Sequence, residues 1–446
     1  MIHYLDETFP QGKTVLVRVD FNVPRNPDGL IADARRVLAH QQTIRFLLEK
    51  GSKIVLFSHL GDPKGVVVPS LSFRPLINQL SSLVDEPLIV QDLELYQPSP
   101  SITLLENIRF DGREEQNDSQ FAARLAALGD IYINDAFSVS HRSHASTVGI
   151  AKYLPSYAGL SWQYEYEQLR SLLNNPLQPQ TLIVGGKKLS DKIGVLQHLL
   201  PKVDRVLVGG ACAHPFYQAQ GKDIGDSYTE LALVPLCRDL LNLYHTKIVL
   251  PVDFVVKDRV FSDIGPNTVR LFVEQATHSR SIIWAGPMGK YEEVPFDQGS
   301  KQLLRGLIDL DVKITVGGGD TLAALSGMPE STGVDFFCLG GGAMLEFLEK
   351  ETLPGIVALD TGTSRHCSYS VCGSASRSAM SSSDLVLARP TKKPVSPGIS
   401  SDWIFLWLIL PPYKTLAKPQ ALAMVITCIK RGAEKVSLLP IIHVGS

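Results

Sequence analysis

Short runs rich in Val, Ile and Leu alternate with longer segments of helical spacing through the first 360 positions. Residues 15–19 (VLVRV) and 53–57 (KIVLF) read as buried strands. Between them, Val37, Ile44, Phe46, Leu47 and Leu48 give residues 35–50 a helical period, and Gly51 stands where a helix C-cap glycine belongs. The same reasoning predicts strands at 101–105, 131–133, 181–184, 205–208, 247–250, 281–284 and 313–316. Helical segments separate most of them, which implies parallel sheets flanked by helices. These strands exceed what one ordinary domain holds. The predicted fold class is therefore α/β: two doubly wound parallel-sheet lobes joined by a helix, with a cleft between them.

Composition shifts place the boundaries. A first lobe is expected over residues 1–157, a linker helix within 158–180, and a second lobe over 181–360. Residues 361–401 are rich in Ser with scattered Gly, Pro and basic side chains, and are expected to be flexible. Residues 402–446 regain hydrophobicity without a pattern that assigns them to either sheet, so 361–446 is set apart as an extension.

In open α/β sheets, ligands bind beyond the carboxyl ends of the strands. The first lobe puts its unusual residues there. Asp20-Phe21-Asn22 follows the first strand, Ser58-His59-Leu60-Gly61 the second, and Glu106-Asn107-Ile108-Arg109 the run at 101–105. Asn134-Asp135 and then His141-Arg142-Ser143-His144 follow the run at 131–133. With Arg36, this rim gathers arginines and histidines suited to a small dianion, since guanidinium forks bind carboxylate or phosphate oxygens in pairs. Asp20 and Asn22 could hold hydroxyls of the same ligand. Any one of these residues alone is well explained as a capping or surface group; the repetition at successive strand ends is not.

The second lobe repeats glycine instead. Gly185-Gly186-Lys187-Lys188 with Asp191-Lys192, Gly209-Gly210, Gly286-Pro287-Met288-Gly289, Gly317-Gly318-Gly319-Asp320-Thr321 and Gly340-Gly341-Gly342 lie at strand ends or before a helix. Glycine lets backbone N–H groups approach phosphate, and a helix N-terminus adds favourable potential. The lysines supply mobile positive charge, and Asp320 could hold Mg²⁺ against nucleotide oxygens. Neither a GxxxxGK[ST] loop nor a GxGxxG after a strand is present, which argues against a P-loop NTPase and a standard dinucleotide enzyme. One lobe thus suits a small anion and the other a Mg-nucleotide, and the natural chemistry is phosphoryl transfer across the cleft.

Charge and cysteine content narrow the partners. The 43 basic and 45 acidic residues nearly cancel, so no basic field favours nucleic acid. The six cysteines form no CxxC pair, against a zinc module or disulfide scaffold. The longest apolar run, 403–410, falls far short of the ~20 residues that cross a bilayer. The first residues, MIHYLDETFP, do not read as a signal peptide. A cytoplasmic enzyme is expected.

The motifs VLVRVDFNVP (15–24), LLENIRF (104–110), YINDAF (132–137), HRSHAST (141–147), DIGP (263–266), GGGDT (317–321) and GGGA followed by LEFLE and LPG (340–355) together resemble the phosphoglycerate kinases. The resemblance spans about residues 1–360 in the family's order. It implies reversible transfer between 1,3-bisphosphoglycerate and ADP, giving 3-phosphoglycerate and ATP, by a monomer with a hinged cleft. On matching positions it assigns the triose site to Asp20, Asn22, Arg36, His59, Arg109 and Arg142, with His141 and His144 in support. Arg36 and Lys188 would stabilise the phosphoryl group in flight, and Gly341 and Gly342 would face it from a helix N-terminus. Nucleotide positions would be Lys188, Lys192, Gly210, Glu292 (ribose), Gly319, Asp320 (metal) and Thr321 (phosphate).

Several positions depart from the pattern. Asp62 stands where the family has arginine, and repels a substrate phosphate unless it pairs with Lys64 or an arginine. Ala285 replaces an asparagine, Ala211 a glycine, Lys187 an alanine and Asn267 a lysine, while Cys338-Leu339 replaces Ser-Thr. These departures keep open two other readings: a relative that binds nucleotide or phosphate without turnover, and a kinase of another acyl phosphate.

Overall fold

In this computed structural model, described residues are 1–100, 102–362, 403–409 and 424–430. The chain divides into two units, 1–370 and 371–446. The strands of the first unit are β1 (Thr14–Arg18), β2 (Lys53–Phe57), β3 (Leu88–Gln91), β4 (Ile102–Leu105), β5 (Ile131–Asn134) and β6 (Ser156–Ala158), then β7 (Gln180–Val184), β8 (Arg205–Val208) and β9 (Ile248–Val249). There follow β10 (Phe254–Lys257), β11 (Val260–Ile264), β12 (Ser281–Ala285), β13 (Lys313–Gly317) and β14 (Phe336–Cys338).

Two six-stranded sheets result, ordered β3-β4-β2-β1-β5-β6 and β14-β13-β12-β7-β8-β9. All their pairings are parallel. Central strands such as TLIV and IYIN are buried on both faces, which is why they read as unbroken apolar runs. Both lobes thus have the expected doubly wound form. Five strands were not foreseen in the pattern: β3, β6, β14 and the two of the antiparallel β10–β11 hairpin, all short or broken by polar residues.

The helix expected over 35–50 is split into Arg35–Leu38 and Gln41–Glu49, and Gly51 adopts φ +66° at its end. The break places Ala39 and His40 beneath the first sheet's rim. The inter-lobe helix runs over Leu160–Asn174. Its Trp162 and Tyr166 rings meet Phe137 of the first lobe and Phe347 of the second, with centroids 5.0–6.1 Å apart, so apolar packing is continuous across the two lobes. The chain then returns. Helix Pro354–Gly362 packs against residues 145–152 and β6 of the first lobe, with the Gly355 N–H on Ser140 O at 2.8 Å.

In the second unit, β15 (Trp403–Ile409) pairs antiparallel with β16 (Met424–Lys430). The flexibility expected for 361–401 falls almost entirely outside the described residues. Among the described residues no helix is long and apolar enough to cross a membrane.

Candidate active site

The first-lobe rim assembles as the strand ends require. Asp20 follows β1 and is 4% exposed. Its carboxylate accepts the Ser138 hydroxyl (2.6 Å) and the Asn22 N–H (3.1 Å), and pairs with Arg36 Nη1 at 3.2 Å. Burial alone would raise its pKa, but the Arg36 guanidinium and these hydrogen bonds hold it well below the carboxylate range. Asn22 Oδ1 accepts the Gly61 N–H at 2.9 Å, tying the loop after β1 to that after β2. Arg109 donates to Gly61 O (3.0 Å) and lies 3.3 Å from Glu115, while its buried Nη2 has no hydrogen-bond partner among the described residues. A buried guanidinium edge with an unused donor suits an anion. Arg142 is exposed beside it, its Nε 3.3 Å from His141 Nε2.

The histidines of this rim do not carry its charge. Burial, reinforced by Arg18, pushes His59 well below the ordinary imidazole value; burial likewise lowers His141, and brings His144 to about 3. The positive field therefore belongs to Arg36, Arg109 and Arg142, and the histidines serve as neutral hydrogen-bonding groups. Arg18 Nη2 donates to His59 Nδ1 at 3.1 Å, which places the ring proton on Nε2.

In the second lobe, the turns after β7, β8 and β12 crowd one another. A Cβ at Gly286 would lie 2.1 Å from Gly185 O, and one at Gly210 (φ +56°) would lie 2.9 Å from Gly186 N. These glycines thus serve backbone packing as well as ligand approach. A cavity of about 440 Å³ opens beside them, lined by His214, Tyr228, Phe254, Phe261, Tyr291 and Glu292 among others. Its aromatic walls suit a planar base. A second groove shares Gly186, Pro287 and Asp320 with it and continues along Lys192, Gly317–Thr321 and Gly341–Gly342 to His141 of the first lobe. Glu292 is exposed at this surface; Lys188 is exposed but lines neither opening, and Glu230 pins the loop after it by accepting the Leu189 and Ser190 N–H groups.

Two assigned residues take more specific positions. The Thr321 hydroxyl is committed to the fold: it donates to Gly317 O (3.0 Å) and accepts the Gly286 N–H (2.7 Å). What remains for a phosphate is its main-chain N–H. The Asp320 carboxylate is exposed, with the Tyr291 hydroxyl at 3.4 Å. Among the described residues no cluster of three or more acidic, His or Cys groups surrounds it. The donor set fits an ion that takes one carboxylate here and its other ligands from nucleotide phosphates and water.

The lobes meet at residues 339–342. Arg36 Nη2 donates to Leu339 O (3.1 Å) and Nη1 to Asn22 O (3.0 Å). Gly341 and Gly342 open helix Gly341–Lys350, whose first N–H groups have no partner within the helix. A Cβ at Gly341 would sit 2.4 Å from Gly318 Cα, so only glycine lets the two turns pass. Glu165 of the inter-lobe helix accepts the Leu339 N–H (3.1 Å) and the Cys338 thiol (3.2 Å). Burial pushes Glu165 up to about 7.

Of the departures, Asp62 pairs with Lys64 at 2.5 Å, on an exposed loop. Lys187 lies over the Tyr228 ring at 5.5 Å. Ala285 is buried at the end of β12 against the groove formed by Gly317–Thr321. Sequence reasoning missed Arg18, His40, Ser138 and Glu165 as site-supporting groups. It also missed the aromatic walls, because no spacing links Tyr228, the β10–β11 hairpin and Tyr291.

The family model described as phosphoglycerate kinase matches residues 5–351. The phosphoglycerate kinase of Roseiflexus sp. (strain RS-1) is 41% identical over 382 residues, covering 78% of this chain and 96% of that one. That of Synechococcus elongatus is 40% identical over 385 residues, with the same coverage. Among solved structures, phosphoglycerate kinase from Coxiella burnetii superposes with a TM-score of 0.71 at 33% identity, covering 81% of this chain and 99% of that one. The enzyme from Pyrococcus horikoshii OT3 gives 0.72 at 28% identity, covering 81% and 100%.

Proposed function

This chain belongs to the phosphoglycerate kinase family and catalyses the glycolytic transfer between 1,3-bisphosphoglycerate and ADP; from that premise we propose that the transfer runs in the cleft at residues 339–342, in a cytoplasmic monomer using Mg-nucleotide. The observation that carries the site assignment is the Arg36–Leu339 contact, which puts the triose-site arginine beside the turn that opens helix Gly341–Lys350.

The triose is held by Asp20, Asn22, His59, Arg109 and Arg142 around a rim whose positive charge is arginine alone. The base occupies the aromatic cavity, with Glu292 on the ribose. The phosphates follow Lys192, Gly210, Gly319 and the Thr321 N–H. Asp320 would hold Mg²⁺, which neutralises phosphate charge when bound.

A terminal oxygen of the ADP β-phosphate attacks the acyl phosphate in line. The P–O bond to the carboxyl oxygen breaks, and 3-phosphoglycerate leaves as a carboxylate. Arg36, Lys188 and the N–H groups of Gly341 and Gly342 stabilise charge on the phosphoryl group in passage. Positioning and water exclusion supply the rest, with no covalent intermediate on the protein. Nothing in the site favours a binding protein without turnover.

The test is steady-state turnover of purified protein with 3-phosphoglycerate and Mg-ATP, coupled to reduction of the bisphosphoglycerate formed. Turnover that falls at least 10²-fold in Lys188→Ala is expected. Absence of turnover alongside Mg-ADP binding by calorimetry would overturn the reading.

A further inference from the structure

His40 sits in the break between the two short helices under the first-lobe rim and is 2% exposed. The Asp20 N–H donates to its Nε2 at 2.8 Å. Nε2 therefore accepts and carries no proton. The ring proton lies on Nδ1, which donates to Asp135 Oδ2 at 2.7 Å. The other oxygen of Asp135 accepts the Thr43 hydroxyl (2.9 Å) and the Ser161 N–H (3.0 Å). Thr43 Oγ1 in turn accepts the Leu160 N–H at 3.0 Å. Leu160 and Ser161 are the first two residues of the inter-lobe helix, whose N-terminus a carboxylate favours.

These bonds form one arm of a closed ring. The other arm runs from the Asp20 carboxylate through Arg36 to Leu339 O, and from the Leu339 N–H to Glu165 on the same helix. A small void lined by Asp20, Arg36, His40, Ser138, Ser161, Glu165 and Leu339 marks its centre. Asp20 is thus held at its main chain from the helix start and at its side chain from the second lobe.

We propose that His40, through its Nδ1–H tautomer, is a positioning residue for the triose site, fixing the Asp20 main chain to the first turn of the inter-lobe helix by way of Asp135. The inference rests on the triose-site reading above. A peptide displaced at Asp20 moves the carboxylate that orients Arg36, so substrate binding and transfer both register the loss.

Two substitutions separate the two bonds. An Asn amide nitrogen falls where Nδ1 is, and a Gln amide falls where Nε2 is. His40→Asn keeps the Asp135 bond and loses Asp20. It should raise KM for 3-phosphoglycerate roughly tenfold and lower kcat, with KM for Mg-ATP unchanged. His40→Gln keeps an acceptor for the Asp20 N–H and should restore KM for 3-phosphoglycerate to within about twofold. Unaltered kinetics in His40→Asn, or equal rises in both KM values with a fall in Tm, would overturn the proposal. Independently, ¹⁵N NMR of the unsubstituted protein at pH 8 should show His40 protonated at Nδ1. Protonation at Nε2 would overturn it even if His40→Asn fails to fold. Should the unsubstituted protein turn nothing over, the transfer reading falls, while the nitrogen spectrum still decides this arrangement.

Discussion

Arg36 and Leu339 stand 303 positions apart in the chain and are joined by a 3.1 Å hydrogen bond from guanidinium to carbonyl. One side chain thereby touches the proposed triose rim, through Asp20 and Asn22, and the turn that leads into helix Gly341–Lys350. Arg36→Ala should lower kcat by roughly 10²–10³, because a charge and a positioned donor are lost together. Arg36→Lys keeps the charge but not the fork, and should recover only a part. The coupled turnover assay measures both; equal activity in Ala and Lys variants would show that charge is immaterial there.

Glu165 predicts a pH dependence of stability. Its folded pKa of about 7 lies above the ordinary glutamate value, chiefly through burial. The stabilisation of its protonated form is complete below the unfolded pKa and is lost as pH rises through about 7. Asp263, also pushed up to about 7 by burial, acts in the same direction. Tm should therefore fall between pH 5 and pH 8. Glu165→Gln should remove roughly 2–3 kcal/mol of that slope. A slope identical to that of the unsubstituted protein would show that Glu165 ionises as an ordinary exposed acid.

Asp62 adds a negative charge near the triose rim, and its pairing with Lys64 offsets only part of it. Asp62→Arg should lower KM for 3-phosphoglycerate by about three- to tenfold, with the gain shrinking at high salt. An unchanged KM would remove Asp62 from the field felt by the substrate.

Chain truncation separates two parts of the C-terminal region. Ending the chain at Thr363 preserves both sheets and helix Pro354–Gly362, and should leave turnover and Tm nearly unchanged. Ending it at Leu353 strips that helix from the face formed by residues 145–152 and β6. Buried Ile356, Ala358 and Leu359 go with it, so Tm should drop by several degrees. Calorimetric scans of the two truncated chains decide this; equal Tm values would show that the helix contributes no stability.

The alternation of apolar runs and helical spacing was enough to place the two parallel lobes, since strands such as TLIV and KIVLF are buried by both helix layers and need no context. The rim residues were legible for the same reason: topology puts strand ends together whatever separates them in sequence. What pattern could not supply was pairing at a distance. His40 lies 95 positions from Asp135, and no local spacing marks it as a buried bridge. Glu165 occupies a polar-looking helix, yet the second lobe covers it. β6, with the sequence SYA, becomes a strand only because β5 lies beside it. The charge of the histidines was also invisible, because desolvation follows from burial and not from residue type.

The return of helix Pro354–Gly362 to the first lobe means that the backbone passes between the lobes twice, once in each direction. A body tethered at one point can tumble about it; a body tethered at two can turn only about the line through them. Relative motion of the lobes is thereby reduced toward a single rotation, and the encounter of triose and nucleotide becomes a search along one coordinate. If the transfer closes the cleft, the lobes would retrace the same arc in each cycle, and much of the orientational entropy that two independently moving lobes would have to surrender at every turnover would already have been given up when the chain folded.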